Sequence, residues 1–450
     1  MATFTATQSA LPVSRERSVL RKDSSSVFGL VLTYGLLFPM VFFAARGSFS
    51  FEYMSLNTPA EGQYGALVNS NFGQGSAAHS IEMVACYGLI CLAMAVIWKP
   101  LLDVCTRNWF YLIMPLWAMA SAAWSQDPKR SFVFAVQTMI LTAFSIYLAV
   151  RLKPKQQMQF FIFVGLVVTL FSFAIAAVLP RAGIDHKNAM IGVEGIFPHK
   201  NVCSVVMISF MLPAFFYKFP GKLGNMKRIA YLAITGLLVL ATTSRTGWLV
   251  LLCCIACAIT LRAMRHMTPL QKLLVSFLLV GLIALIIWIA TVYFRQIVVA
   301  MGKDPSMSGR TQIWKAVFLS IFKRPMLGYG YDAFWMGFKG ESMHLALASG
   351  FPGLGNAENG ILELWLEVGF VGVLLQFIAL GMASRSAMRS LKADTPPHVL
   401  WYMSMLFITL LAIVDGDKFM LPHSIEWVMF VMAGVGLAEH VRTNGRRQLA

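Results

Sequence analysis

The chain has 450 residues, of which 58% are hydrophobic and only 13% charged, with a formal net charge of +17. A soluble domain carries roughly a quarter charged residues, so this composition excludes an ordinary soluble enzyme. Apolar runs of about 20 residues recur along it, the signature of a polytopic membrane protein, and there the placement of Lys and Arg between loops says more than a total that would otherwise suggest nucleic acid.

Residues 1–26 are polar and Ser-rich, with Arg15, Arg17, Arg21 and Lys22 just before the first apolar run. No small-residue cleavage site follows that run, so it is expected to stay as an anchor. Apolar windows then fall at 27–45, 81–97, 108–123, 131–150, 158–179, 201–217, 229–243, 247–261, 273–294, 360–383, 398–414 and 424–439. The expectation is an all-α polytopic membrane protein of about 12 spans, with one large loop between spans 9 and 10. The divisions are a tail at 1–26, spans 1–9 over 27–294, the large loop at 295–359, spans 10–12 over 360–440 and a tail at 441–450. With both tails inside, the inner segments hold 22 of the 37 Lys and Arg residues, and each has at least two. That distribution agrees with the positive-inside rule.

The seven cysteines lie mostly inside apolar runs, as small packing residues do. The inner loops are short and basic, and neither GxxxxGK[ST] nor GxGxxG occurs, which argues against an ATP-driven pump or a cytosolic nucleotide-sugar enzyme. The unusual polar stretches all fall on the outer side: WSQDPKRS (124–131), the loop 181–201, TTSRTG (242–247), the large loop, and DGDKFMLPHS (415–424).

Arg245 sits in a hairpin so short that its guanidinium either snorkels at the interface or enters a cavity between spans. Arg310 and Arg324 are outside as well. A guanidinium binds phosphate oxygens through paired hydrogen bonds, so converging arginines suit a diphosphate; a solvated loop residue is the alternative for Arg310, and a headgroup contact for Arg324. His199-Lys200-Asn201 stands where an outer loop enters a span, as a helix-start hydrogen bonder or a substrate contact; His186-Lys187-Asn188 echoes it. Glu358-Asn359 opens the tenth span, with Glu363 and Glu367 at helical spacing. A first-turn carboxylate is favoured by the helix dipole, and a partly desolvated Glu358 could equally serve as a general base. Asp415, Asp417, Lys418, His423 and Glu426 read as local ion pairing.

The ordered motifs ASAAWSQDP (120–128), GIFPHKN (195–201), TSRTG (243–247), SGRTQIW (308–314), RPMLGYG (324–330) and NGILELWLEVGFVG (359–372) resemble the O-antigen ligase/polymerase family, above all its exopolysaccharide polymerases. The resemblance implies a GT-C-like membrane enzyme of the bacterial inner membrane with a periplasmic large loop. Such enzymes transfer glycan from undecaprenyl diphosphate without cofactor or metal. Expected partners are undecaprenyl-diphosphate-linked oligosaccharides and the lipid bilayer, beside flippase and chain-length co-polymerase proteins, with no nucleic acid. Carried onto this chain, the resemblance makes Arg245 and Arg310 the arginines that engage the diphosphate, with Glu358 where the family has its His base. His199, Lys200, Asn201, Asn359 and Arg324 are the remaining substrate-binding candidates; His344 and His199 are other candidates for the base. A ligase acting on lipid A core is the alternative, and a transporter or flippase a more distant one, since the spans are almost free of acidic residues.

Overall fold

The computed structural model describes residues 35–45, 77–185, 191–264, 267–268, 270–271, 274–275, 310–337, 339–350, 354–391, 395–414, 420 and 423–449. Within them the chain is almost wholly helical: α1 Leu37–Ala44, α2 Ala77–Val96, α3 Trp98–Arg107, α4 Phe110–Ala120, α5 Pro128–Arg151, α6 Pro154–Val178, α7 Lys200–Phe216, α8 Gly224–Ala241, α9 Arg245–Met264, α10 Arg310–Lys323, α11 Gly340–Ser349, α12 Gly360–Ser390, α13 Pro397–Val414 and α14 Ile425–Leu449. The described strands are the two-residue β1, Ile184–Asp185, and β2, Gly192–Val193, paired antiparallel with Asp185 opposite Gly192.

Four helices, α5, α6, α9 and α12, are each long and apolar enough to cross a membrane, and α2 with α3 makes a fifth if the bent pair is one span. The protein is therefore a multi-pass membrane protein, held as a bilayer demands, with backbone polar groups satisfied inside helices. The ninth expected span, 273–294, lies outside the described residues apart from Leu274 and Val275.

Three features differ from the plain succession of spans and loops. The expected inner loop after 97 is a helix, α3, set at 93° to the one before it. The large loop contains two helices, α10 and α11. The expected continuous span from 360 is broken at Gly369, whose φ of 71° and ψ of −178° are not helical.

Local signals account for several helix starts. Asp127 accepts a hydrogen bond from the Arg130 amide (3.0 Å) ahead of Pro128 at the first helical position. Pro154 opens α6 in the same way, with the Gln156 side chain accepting from the Lys153 amide (2.9 Å). Buried aromatics carry their polar ends into the bundle: the Trp427 indole donates to Thr142 Oγ1 (2.9 Å) and the Tyr402 hydroxyl to Gln157 Oε1 (2.6 Å). Apolar residues such as Val84, Leu92, Leu252 and Ile259 face outward, as lipid contact requires.

Candidate functional site

One polar group forms where the strand pair β1 and β2 meets the turn before α9. His199 caps α7 in an extended conformation and its Nδ1 accepts from the Asn201 amide (3.2 Å), which in a neutral ring puts the proton on Nε2. Lys200 is only 7% exposed and pairs with Asp185, 2% exposed, at 3.1 Å. The Lys200 ammonium thus ties the β-hairpin to the head of α7. Asn201 Oδ1 accepts from Ser244 Oγ (2.9 Å), and Ser244 Oγ in turn accepts from the Gly247 amide (3.0 Å), capping α9.

Arg245 is the first residue of the helix so capped and is exposed. A cation at a helix N-terminus is disfavoured by the dipole, and an anion there is favoured. Arg245 therefore sits where it gains most when an anion joins it. The turn before it is tight. Thr243 has a φ of 51°, its Oγ1 donates to the Ile191 carbonyl (3.0 Å), and a Cβ on Gly192 would lie 2.1 Å from the Thr242 carbonyl oxygen. The stretch His186-Lys187-Asn188 lies outside the described residues.

A second group surrounds Glu358, which is half-buried and has a φ of 51°. The residue before it, Ala357, is buried and held at both polar atoms: its amide donates to Glu363 Oε2 (2.7 Å) and its carbonyl accepts from the Trp314 indole (3.1 Å). Glu363 is 2% exposed, and its other oxygen accepts from the Trp335 indole (2.6 Å). The residue after it, Asn359, caps α12 by accepting from the Ile361 and Leu362 amides (3.0 and 3.1 Å). The Glu358 amide itself donates to Asn356 Oδ1 (3.0 Å). Both neighbours are thus fixed, and the left-handed conformation of Glu358 follows. Arg310 is the first described residue of α10 and precedes Trp314 by one turn, about 6 Å along the axis, so the packing of α10 on α12 brings the Arg310 backbone to the same end as Glu358.

Arg324 belongs to a third assembly. It is exposed, stands over the Tyr329 ring at 5.1 Å, and approaches the Trp124 carbonyl at 3.5 Å. Around it the segment 325–330 lines the break in α12. Tyr329 and Gly330 amides donate to the Leu366 and Glu367 carbonyls (both 2.8 Å), and the Phe370 amide donates to the Pro325 carbonyl (2.9 Å). The WSQDP stretch closes the joint: the Trp124 indole donates to the Leu327 carbonyl (2.8 Å) and the Gln126 amide to the Tyr329 carbonyl (3.0 Å). Arg130 pairs with Asp332 at 3.1 Å. Burial pushes the Tyr329 phenol up to about 12, helped by the Glu341 carboxylate and opposed by Arg324, so it stays protonated at neutral pH and is no base. His344, on α11, is exposed. Asp415, Asp417 and Lys418 lie outside the described residues. His423 sits among Phe42, Tyr87 and Phe134, and Glu426 accepts from Ser424 Oγ (2.7 Å).

The described contacts thus gather His199, Lys200 and Asn201 with Arg245, and Asn359 and the head of α10 with Glu358, while Arg324 joins the loop to the broken span. Reading the sequence left Glu363 without an assigned role; a Glu in the first turn after an Asn cap was the available signal.

The fold defines an integral membrane protein with two polar groups anchored at helix heads. Residues 230–377 match the family described as O-antigen ligase, so over that segment the resemblance carried by the motifs is shown; it contains Arg245, Arg310, Arg324, Glu358 and Asn359. The chain is also 26% identical over 208 residues to the exopolysaccharide production protein ExoQ of Rhizobium meliloti (strain 1021), a match spanning 44% of this chain and 46% of that relative. The chain therefore aligns with about half the length of the curated relative it matches.

Proposed function

We propose that the protein polymerises undecaprenyl-diphosphate-linked oligosaccharide repeat units into exopolysaccharide at the periplasmic face of the inner membrane. One observation carries this reading. Among the described residues three non-glycines have positive φ: Thr243, Asp332 and Glu358. Asp332, of a residue type that tolerates left-handed backbone, pairs with Arg130. The other two lie at the turn before Arg245 and at the head of α12, in the two groups that the family resemblance makes functional. Strain of this kind costs about 1–3 kcal/mol per residue and gathers at working sites.

In the proposed reaction Arg245 and Arg310 hold the diphosphate of the donor and neutralise charge as it develops on the leaving oxygen, a role that suits donors fixed in a water-poor site. The Glu358 carboxylate takes the proton from the acceptor hydroxyl. A bond forms between the acceptor oxygen and the anomeric carbon while the bond from that carbon to the diphosphate oxygen breaks, inverting the carbon and releasing undecaprenyl diphosphate. His199 and Asn201, adjoining the Ser244 cap, and Asn359, capping α12, line the approaches. About twelve spans with the large loop outside, independence from nucleotide and metal, and work alongside a flippase and a chain-length co-polymerase belong to the same proposal.

The test is polysaccharide size on gels from a deletion strain complemented with wild type, Arg245→Ala, Arg310→Ala or Glu358→Ala. Wild type should restore long polymer and the variants leave single repeats. If polymer length is indifferent to the protein while attachment of glycan to lipid A core depends on it, the ligase reading replaces this one.

A further inference from the structure

The right-angle turn between α2 and α3 leads to an inference independent of the site above. Ile97, at φ −125° and ψ 35°, ends the helical path of α2, and α3 leaves at 93°. If α2 crosses the bilayer, α3 runs along its surface. The ten residues of α3 and the two after it divide into three edges. Leu101, Val104, Cys105 and Asn108 are buried against the protein. Trp98 and Leu102, four residues apart in the helix, and Trp109, just past its end, are 55%, 53% and 57% exposed. Lys99, Asp103 and Thr106, four and three apart, are exposed as well and polar.

Neither water nor hydrocarbon alone suits such a helix. In hydrocarbon, the charges of Lys99 and Asp103 would lose their water; in water, two indoles and a leucine would be uncovered. The boundary layer satisfies both edges, with indoles and a basic residue at headgroup level. The apolar edge also continues the outward apolar face of α2, where Leu89, Leu92 and Val96 are exposed.

The far end is fastened to the bundle. Arg442 of α14 donates to the Arg107 carbonyl (2.8 Å), the last carbonyl of α3, and Arg107 pairs with Glu439 at 3.8 Å and with Asp103. Asp103 is thereby neutralised, leaving Lys99, which lies over the Trp98 ring at 5.6 Å, as the charge facing the headgroups.

We infer that α3 is an interfacial helix that seats the protein on a phospholipid surface, with its Trp98–Leu102–Trp109 edge against acyl chains and Lys99 among lipid phosphates. The test uses the full chain in vesicles of phosphatidylethanolamine and phosphatidylglycerol. Spin labels go on Lys99→Cys, Leu102→Cys or Asp103→Cys, in a background carrying Cys91→Ala, Cys253→Ala and Cys257→Ala. Collision rates with oxygen and with a water-soluble nickel chelate report depth. The expected result is an oxygen-to-nickel ratio several-fold higher at 102 than at 103, with 99 close to 103. Equal, nickel-dominated values at all three would mean that α3 lies in water. Equal, oxygen-dominated values would mean that it is part of a broken span. Either would overturn the inference.

Discussion

Two segments of the large-loop region use similar residues for different ends. The joint of 325–330 with 366–371 needs unusual backbone at Gly328, Gly330 and Gly369, and all three are glycine. Every one of them meets backbone or a packed side chain so closely that a Cβ would fall within 2.6 Å of a neighbour. At 356–359 the chain needs left-handed backbone too, but the residue is Glu358. Where the conformation serves folding alone, the residue is one that adopts it without strain. Where a carboxylate stands instead, the bonds made by Asn356, Ala357 and Asn359 hold the strained conformation.

The sharpest way to break this comparison is Gly369→Ala. With a φ of 71° and a Cβ only 2.1 Å from the Met326 carbonyl oxygen, the substitution should cost about 3 kcal/mol or more. Heated, detergent-solubilised protein should lose its monodisperse peak many degrees early; an unchanged melting temperature would show that the joint yields. Next comes Glu358→Gly, which should move stability and function in opposite directions. Relief of the left-handed strain should stabilise the fold by about 1 kcal/mol, while loss of the base should lower the rate of chain growth by about a hundredfold or more. A variant that melts higher and still makes full-length polymer would remove Glu358 from the chemistry.

Glu363→Gln separates clamp from base. Gln keeps one acceptor oxygen but offers an amide nitrogen to a donor, so either Trp335 or the Ala357 amide loses its partner. The expected cost is about 1–3 kcal/mol, with a fall in polymer output smaller than that of Glu358→Gly. Output unchanged at full stability loss would make Glu363 a folding residue only. The smallest effect should come from Arg324→Ala, which removes a contact over the Tyr329 ring worth about 0.5–1 kcal/mol. Polymer length should stay at the wild-type value, and single repeats would return Arg324 to the diphosphate site.

The membrane class was legible because a bilayer imposes composition directly, and the start of α12 at Asn359 because a cap is local; the spans expected from 131 and 158 begin instead at Pro128 and Pro154. The break at Gly369 was not. LEVGFVG reads as uninterrupted apolar helix, and the cause of the break, the backbone of 325–330 filling the gap, lies some forty residues upstream. Lys200 reads from sequence as a candidate for substrate, because its partner Asp185 lies in a two-residue strand too short to predict. Helix α3 was hidden among residues that score as a short basic loop, since two of its three edges are polar or modestly apolar. The contrast within Glu358-Asn359 is instructive: the cap was visible in the residue type, whereas the clamp on Ala357 needs Trp314 and Trp335, both distant in sequence.

The break in α12 also has a mechanical meaning. At Gly369 the helical hydrogen-bond ladder is interrupted, and the upper piece, 360–368, is bonded to the loop instead, while 370–390 keeps a buried face against the bundle. The piece that carries Glu358 at its head is therefore held by the loop through backbone hydrogen bonds, as a hinge leaf is held by its own frame.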